Sequence, residues 1–259
     1  MTPDEQLLCD RPSNGVLRLR LNRPERRNAL ATPLLLEVAD ALDTAAVDPD
    51  IRVVVIVGAP KVFAAGADLQ ELADGTDTDP VETPRFLGWA RIRDFPKPLL
   101  AGVEGWCLGA GNELAMCCDI VVAGEDARFG QPESNLGIIP GAGGTVTLTQ
   151  LVGRARAMLM VLTGVPLSAR EALAAGLIAE VTATGEAEDA ALSLAAAIAT
   201  RAPRAMREGK ASVREAARMA EAELIRAERA RFVALLGTAD KAEGLAAFWE
   251  KRVPEWHDR

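Results

Sequence analysis

Apolar positions change their spacing several times along the chain, and each change marks an element. In Val16–Leu21, Leu17, Leu19 and Leu21 alternate with Arg18 and Arg20, the period of two expected of a half-exposed strand. Thr32-Pro33 then opens a helix, with Thr32 available as its cap and Pro33 suited to the first turn. It runs to about Ala46 with Leu35, Val38, Ala39 and Leu42 on one face, and Asp48-Pro49-Asp50 ends it. Val53 to Val57 is a continuous β-branched run, as for a strand covered on both faces. Leu99–Val103 and Ile120–Ala123 read as further buried strands.

The segments between these runs carry glycine. GAPKVFAAGADLQEL leads into a short helix near Asp68, Asp74 to Thr83 is polar enough for a surface loop, and Phe86 to Phe95 is helical. Apolar strand, glycine loop and short helix recur, which predicts an α/β domain of stacked turns. The unit lengths differ too much for a sequence repeat. Gly143-Gly144-Thr145 starts another helix, Ser168 to Glu171 forms a capping box for a helix ending at Gly176, and Ala187 to Thr200 is helical. From Pro203 no strand pattern remains. Leu224, Ile225, Phe232, Leu235 and Leu236 recur at helical spacing. The expected organisation is a core over 1–199 and a helical section over 200–259 that packs on the core or on another subunit.

Composition narrows the chemistry. Apolar residues make up 49% of the 259, enough for one large core. No run of 18 apolar residues would span a membrane, and the acidic, polar start lacks the pattern of a secretory signal. Cys9, Cys107, Cys117 and Cys118 form no C-x-x-C pair and are expected to be reduced and buried, in a cytoplasmic protein. A net charge of −8 argues against nucleic acid as a partner, though not against a small anion held by a local basic cluster. Arg23, Arg26 and Arg27 in NRPERRNAL form either such a lip or a solvated turn. Tyrosine is absent and the single histidine is His257, third from the end. Acid–base work therefore falls to carboxylates, lysine or bound water.

The stretch Gly102 to Thr145 holds most of the candidate chemistry. Its glycine clusters fit neither a G-x-x-x-x-G-K-[ST] loop nor a complete G-x-G-x-x-G. A glycine loop opening a helix also exposes backbone N–H groups with partial positive charge. Two such loops facing each other can place two donors on one oxygen, each worth about 2.7–4 kcal/mol of barrier. The candidates are the amides of Ala67 and Ala110; the plainer reading is that the glycines only permit tight turns. Glu113 and Glu133 lie among apolar neighbours. In a dry pocket both would bind protons more tightly and could serve as acid and base near neutral pH. Otherwise they are helix-start carboxylates, as Asp68 is read to be, with Asp119 capping a strand.

FAAGADLQEL, AGVEGWCLGAGNELAMCCDIVVAGEDARFGQPE and LGIIPGAGGT resemble the enoyl-CoA hydratase/isomerase (crotonase) family, as do NRPERRNAL and EGLAAFWEKR. The resemblance runs from about residue 15 to residue 256 and its motifs are long and in order. It implies an α/β spiral of ββα turns with a C-terminal helical region that builds a homotrimer or a hexamer of two trimers. It implies an acyl-CoA thioester as substrate and no cofactor or metal, coenzyme A being part of the substrate. The family's oxyanion-hole amides fall on Ala67 and Ala110, and its two hydratase glutamates on Glu113 and Glu133. Glu113 would deprotonate the water that attacks Cβ, and Glu133 would protonate Cα. Ala65, Gly66, Asp68 and Leu69 would meet the coenzyme through their backbone, Gly141 would line the pocket, and Arg23, Arg26, Arg27 and Lys251 would offset its phosphates.

The resemblance departs at one place: many relatives read GTQRL after the last glycines, and this chain reads GTVTL. Val146 and Thr147 replace an amide and a cation. The glutamate pair favours a hydratase, with a Δ3,Δ2-enoyl-CoA isomerase of the same family or a non-catalytic RNA- or ligand-binding relative as the rivals. Both a dehydroadipyl-type acyl chain and ordinary fatty-acyl chains fit the motifs. The variable stretch from Asp74 to Phe95 is expected to set that preference.

Overall fold

A computed structural model describes residues 5–75, 82–216 and 221–259. Two sheets are threaded by one repeating path. Strands β1 (Leu7–Ser13), β2 (Val16–Leu21), β3 (Val53–Val57), β5 (Leu99–Val103), β7 (Ile120–Gly124) and β10 (Glu180–Thr182) form a six-stranded sheet in the order β1-β2-β3-β5-β7-β10. The β1–β2 pair is antiparallel and every other pair is parallel. A second sheet stacks the short strands β4 (Val62–Ala64), β6 (Trp106–Leu108), β8 (Arg128–Gly130) and β9 (Leu167–Ser168) in that order. Each turn of the spiral is a long strand, a short strand and a helix: β3, β4 and α2 (Leu69–Asp74); β5, β6 and α4 (Ala110–Cys117); β7, β8 and a 3-10 turn at Glu133–Leu136.

The β-branched run makes this possible. All five residues of β3 are buried, because the sheet is covered on both faces. Val53, Val55 and Val57 point with Leu100 and Val122 to α7 (Ala187–Ala199), whose Ala187, Ala191, Ala195 and Ala199 form a smooth stripe. The alternating residues Val54 and Ile56 face the main core, with Leu34, Leu35, Val38 and Leu42 of α1 (Thr32–Val47) and Trp89 and Ile92 of α3 (Pro84–Arg93). Arg18 and Arg20 escape burial by pairing with Glu188 of α7.

Several expectations are corrected. Thr32 is not the cap of α1; Ala31 is, and Thr32 sits in the first turn. Its N–H and hydroxyl both reach the Glu71 carboxylate, which caps α1 from α2. Cys9 is exposed on the edge strand, so not all four thiols are buried. The helix over Phe86–Phe95 starts earlier, at Pro84, because Thr83 accepts the N–H of Phe86. Of the polar stretch Asp74 to Thr83, residues 76–81 lie outside the described residues. The capping box at Ser168 and Glu171 opens α6 (Ala169–Ala174) as expected, and α5 (Gly144–Thr163) begins at the glycines, with a break at Gly153.

The chain beyond residue 200 is helical among the described residues: α8 (Pro203–Glu215), α9 (Glu221–Leu236) and α10 (Ala239–Glu250). No residue of α8 is buried, yet it is pinned to the core by charge. Lys210 reaches Asp119 at 2.8 Å and the carbonyl of Lys97 at 2.6 Å, and Asp119 accepts the N–H of Leu99. Ile225 and Phe232 of α9, and Phe248 and Trp249 of α10, are at least half exposed. No described helix is long and apolar enough to cross a membrane.

Lys97 is nearly buried, and its ammonium donates to the carbonyls of Ala45, Asp48 and Ile51, each at 2.7 Å. A charged donor makes such bonds stronger than neutral ones. Lys97→Met should cost at least about 2 kcal/mol, lowering the thermal midpoint by about 4–8 °C; calorimetry checks this.

Candidate functional site

The turns of the spiral place their glycine loops side by side. Gly109 is held at φ 50° and ψ −123°, which a side-chain-bearing residue rarely adopts. A Cβ there would also lie 2.7 Å from Glu133 Oε1 and 3.6 Å from the Cα of Gly66. The loop before α4, the loop before α2 and Glu133 therefore meet at one point. The residues that follow the two glycines are Ala110 and Ala67. Ala110 is the first residue of α4, where a helix has no internal acceptor for its N–H. Neither Ala67 nor Ala110 donates its amide to a loop or cap carbonyl among the described residues.

These groups line a cavity of about 720 Å³. Ala65, Gly66, Ala67, Asp68 and Leu69 form one wall, and Gly109, Ala110 and Glu113 the next. Glu133 and Gly141 close it from the third turn, and Arg26 and Arg27, both exposed, stand at its edge. Leu72, Phe86, Trp89 and Ile139 make much of the rest apolar. Two residues of the proposed phosphate set are elsewhere. Arg23 does not line the cavity; it pairs with Asp68 at 3.2 Å and donates to the Ala29 carbonyl at 2.7 Å. Lys251 is the exposed C-cap of α10 and is not in the cavity wall of this single chain.

The basic turn is shaped by a buried amide. Asn28, fully buried, accepts the N–H of Arg23 and donates to the Phe63 carbonyl at 3.1 Å. Ala65 in turn donates to the carbonyl of Arg27 at 3.0 Å, which ties the arginine turn to the Ala65–Leu69 wall. Asp68 caps α2 by accepting the N–H of Gln70 at 3.1 Å.

The two glutamates sit in different surroundings. Glu113 is 4% exposed and its Oε1 accepts the N–H groups of Ala142 and Gly144, both at 2.8 Å. Burial raises its pKa on balance, and those two amides with Arg85 and Arg93 offset part of the rise. Glu133 has no such grip. Its Oε2 is buried without a partner among the described residues, and burial, with the charge of Glu113, pushes its pKa up to about 7. Glu113 thus has amides and cations that favour its anion, which Glu133 lacks, a contrast suited to a base and an acid.

Sequence reasoning missed several contributors. The amides of Ala142 and Gly144 hold Glu113, and only the glycine run opening α5 hinted at them. Arg85 lines the cavity, donates to the Leu30 carbonyl at 2.8 Å, and has its pKa lowered by burial. Nothing in the spacing of α3 marks it. Fully buried Gln131 turns its amide nitrogen to the carbonyls of Gly130 and Gly109, 3.1 and 3.2 Å away, and so supports the Gly109 loop.

The spiral α/β chain thus brings helix-start amides and two unlike carboxyls to one part-apolar cavity. The family model "Enoyl-CoA hydratase/isomerase" matches residues 11–259, and the chain belongs to that family. It is 45% identical over 244 residues to the 2,3-dehydroadipyl-CoA hydratase of Escherichia coli (strain K12), covering 94% of this chain and 96% of that one. It is 39% identical over 241 residues to a probable enoyl-CoA hydratase of Mycobacterium leprae, covering 93% and 94%. Among solved structures, an enoyl-CoA hydratase from Bacillus anthracis superposes with a TM-score of 0.93 at 34% identity, covering 98% of this chain and 100% of that one. An enoyl-CoA hydratase from Mycobacterium tuberculosis gives 0.90 at 33%, covering 98% and 99%. The family acts on acyl-CoA thioesters.

Glu133 should titrate near pH 7 in carboxyl-carbon NMR, against about 4.3 for a free glutamate. In Glu113→Gln the like charge is gone, so the Glu133 midpoint should move down.

Proposed function

We propose that the protein is an enoyl-CoA hydratase, adding water across the Cα=Cβ bond of a 2-enoyl-CoA to give a 3-hydroxyacyl-CoA. The observation that carries this is the unequal pair of carboxyls beside two uncommitted amides. The thioester carbonyl oxygen sits between the N–H groups of Ala67 and Ala110, which stabilise enolate charge as it develops. The methyl of Ala110 leaves its N–H available. Glu113, kept anionic by Ala142 and Gly144, orients the water and takes its proton as the oxygen bonds to Cβ. Glu133, protonated near pH 7, delivers its proton to Cα as the enolate collapses. Proton uptake and release balance, so the pair is reset by one proton exchange.

The Ala65–Leu69 wall receives the coenzyme through its backbone. Arg26 and Arg27, exposed at the edge, offset phosphate charge. Lys251 reaches a phosphate only if the assembly brings α10 of another subunit to the mouth. The half-exposed apolar faces of α9 and α10 support a homotrimer or a hexamer of two trimers. Within this reading no separate cofactor or metal takes part, and the reduced thiols suit the cytoplasm. The acyl end lies among Leu72, Phe86 and Trp89. The name of the E. coli relative adds a dehydroadipyl chain as a candidate beside plain fatty-acyl chains.

Crotonyl-CoA tests the reading: a hydratase removes the conjugated enoyl-thioester absorbance and forms the 3-hydroxy product. Glu113→Gln and Glu133→Gln should each lower kcat about 10²–10⁴-fold with little change in binding of a CoA ester. Turnover like the wild type in either variant contradicts the assignment, and a double-bond shift without hydration would make the protein an isomerase.

A further inference from the structure

The grip on Glu113 comes from a loop with little means of holding itself. Residues 141–144 read Gly-Ala-Gly-Gly, and Gly143 has φ 97°. Such a segment loses more conformational freedom on ordering than any other. Yet two of its amides must stay aimed at one oxygen, 2.8 Å away. No side chain of the loop is long enough to pin it.

The pin comes from α3. Arg93, the last residue of that helix, donates from Nη1 to the Ala142 carbonyl at 2.9 Å. Ala142 is thereby bonded on both sides, its N–H to Glu113 and its C=O to Arg93. Arg93 is itself tied down, since its own carbonyl accepts from Arg214 of α8. A Cβ built on Gly143 would lie 3.8 Å from Arg93 Nη1 and 3.8 Å from Thr147 Oγ1. The two side chains therefore reach the same side of Gly143.

We propose that Arg93 is a positioning residue for Glu113, holding the 141–144 loop in register and filling from α3 the place that an arginine at position 147 would take. The inference rests on the hydratase reading, in which Glu113 is the base. The charged and titratable groups facing Glu113 are Arg85 and Arg93 from α3 and Glu133 from the third turn, with Cys117 on its own helix. Arg93 favours the carboxylate, so its loss raises the pKa of Glu113 and shrinks the fraction present as base.

The test compares wild type with Arg93→Gln on crotonyl-CoA from about pH 5 to about pH 9. In the variant kcat should fall about tenfold to a hundredfold while KM changes little. The acid limb of the kcat profile should move to higher pH and the alkaline limb, set by Glu133, should stay. Adding Thr147→Arg to Arg93→Gln should restore most of kcat and return the acid limb. Should the single variant fold too poorly to assay, the double variant decides: a folded double variant that stays slow overturns the proposal. An Arg93→Gln enzyme with unchanged kcat and unchanged acid limb overturns it, as does a loss confined to KM. In each of those cases the wild type still hydrates crotonyl-CoA, so the hydratase reading stands. A wild type that hydrates no 2-enoyl-CoA removes both.

Discussion

One oxygen atom joins the two halves of the site. Glu113 Oε1 accepts from Ala142 and Gly144, so the second turn of the spiral is fastened to the start of α5 across the floor of the cavity. The contact requires a glycine at 144, where a Cβ would lie 2.7 Å from that oxygen. Glu113 and Ala110 share α4, so the carboxyl and that amide enter the cavity from one element.

The same contact separates the behaviour of the glutamates. Burying a carboxylate costs several kcal/mol, and each hydrogen bond to a charged group returns about 1.5–3 kcal/mol. Two amides and two nearby arginines offset part of that cost for Glu113, whose pKa stays raised by burial. Glu133 has a buried oxygen with no partner among the described residues, and the Glu113 charge beside it, so it holds its proton until about pH 7. In the proposed reaction it is the unequal environments, rather than the residue type, that suit the two glutamates to different roles.

The sequence made the long strands legible because β3, β5 and β7 are unbroken apolar runs. The second sheet was hidden: β4, β6 and β8 are three residues each and β9 two, too short to show a period. Edge strand β1 was hidden for another reason, since Asp10, Arg11 and Pro12 face solvent and break the alternation. Glu113 and Glu133 stood out because polar residues amid apolar neighbours need a partner or a task. The parts of the site built from backbone, or from one position on an otherwise ordinary helix, did not stand out. The amides of Ala142 and Gly144 carry no residue signature, and Arg85 and Arg93 look like any solvated arginines of α3. Arg23 shows the converse, a cation that suits a phosphate by type but is already committed to Asp68.

The proposed hydration requires that this carboxyl pair deliver water, not merely a proton. The most direct measurement is turnover of a 2-enoyl-CoA in oxygen-18 water containing deuterium, with the product read by mass spectrometry. The account predicts a 3-hydroxyacyl-CoA with labelled oxygen at C3 and deuterium at C2. A rearranged enoyl-CoA that carries deuterium but no labelled oxygen would contradict it.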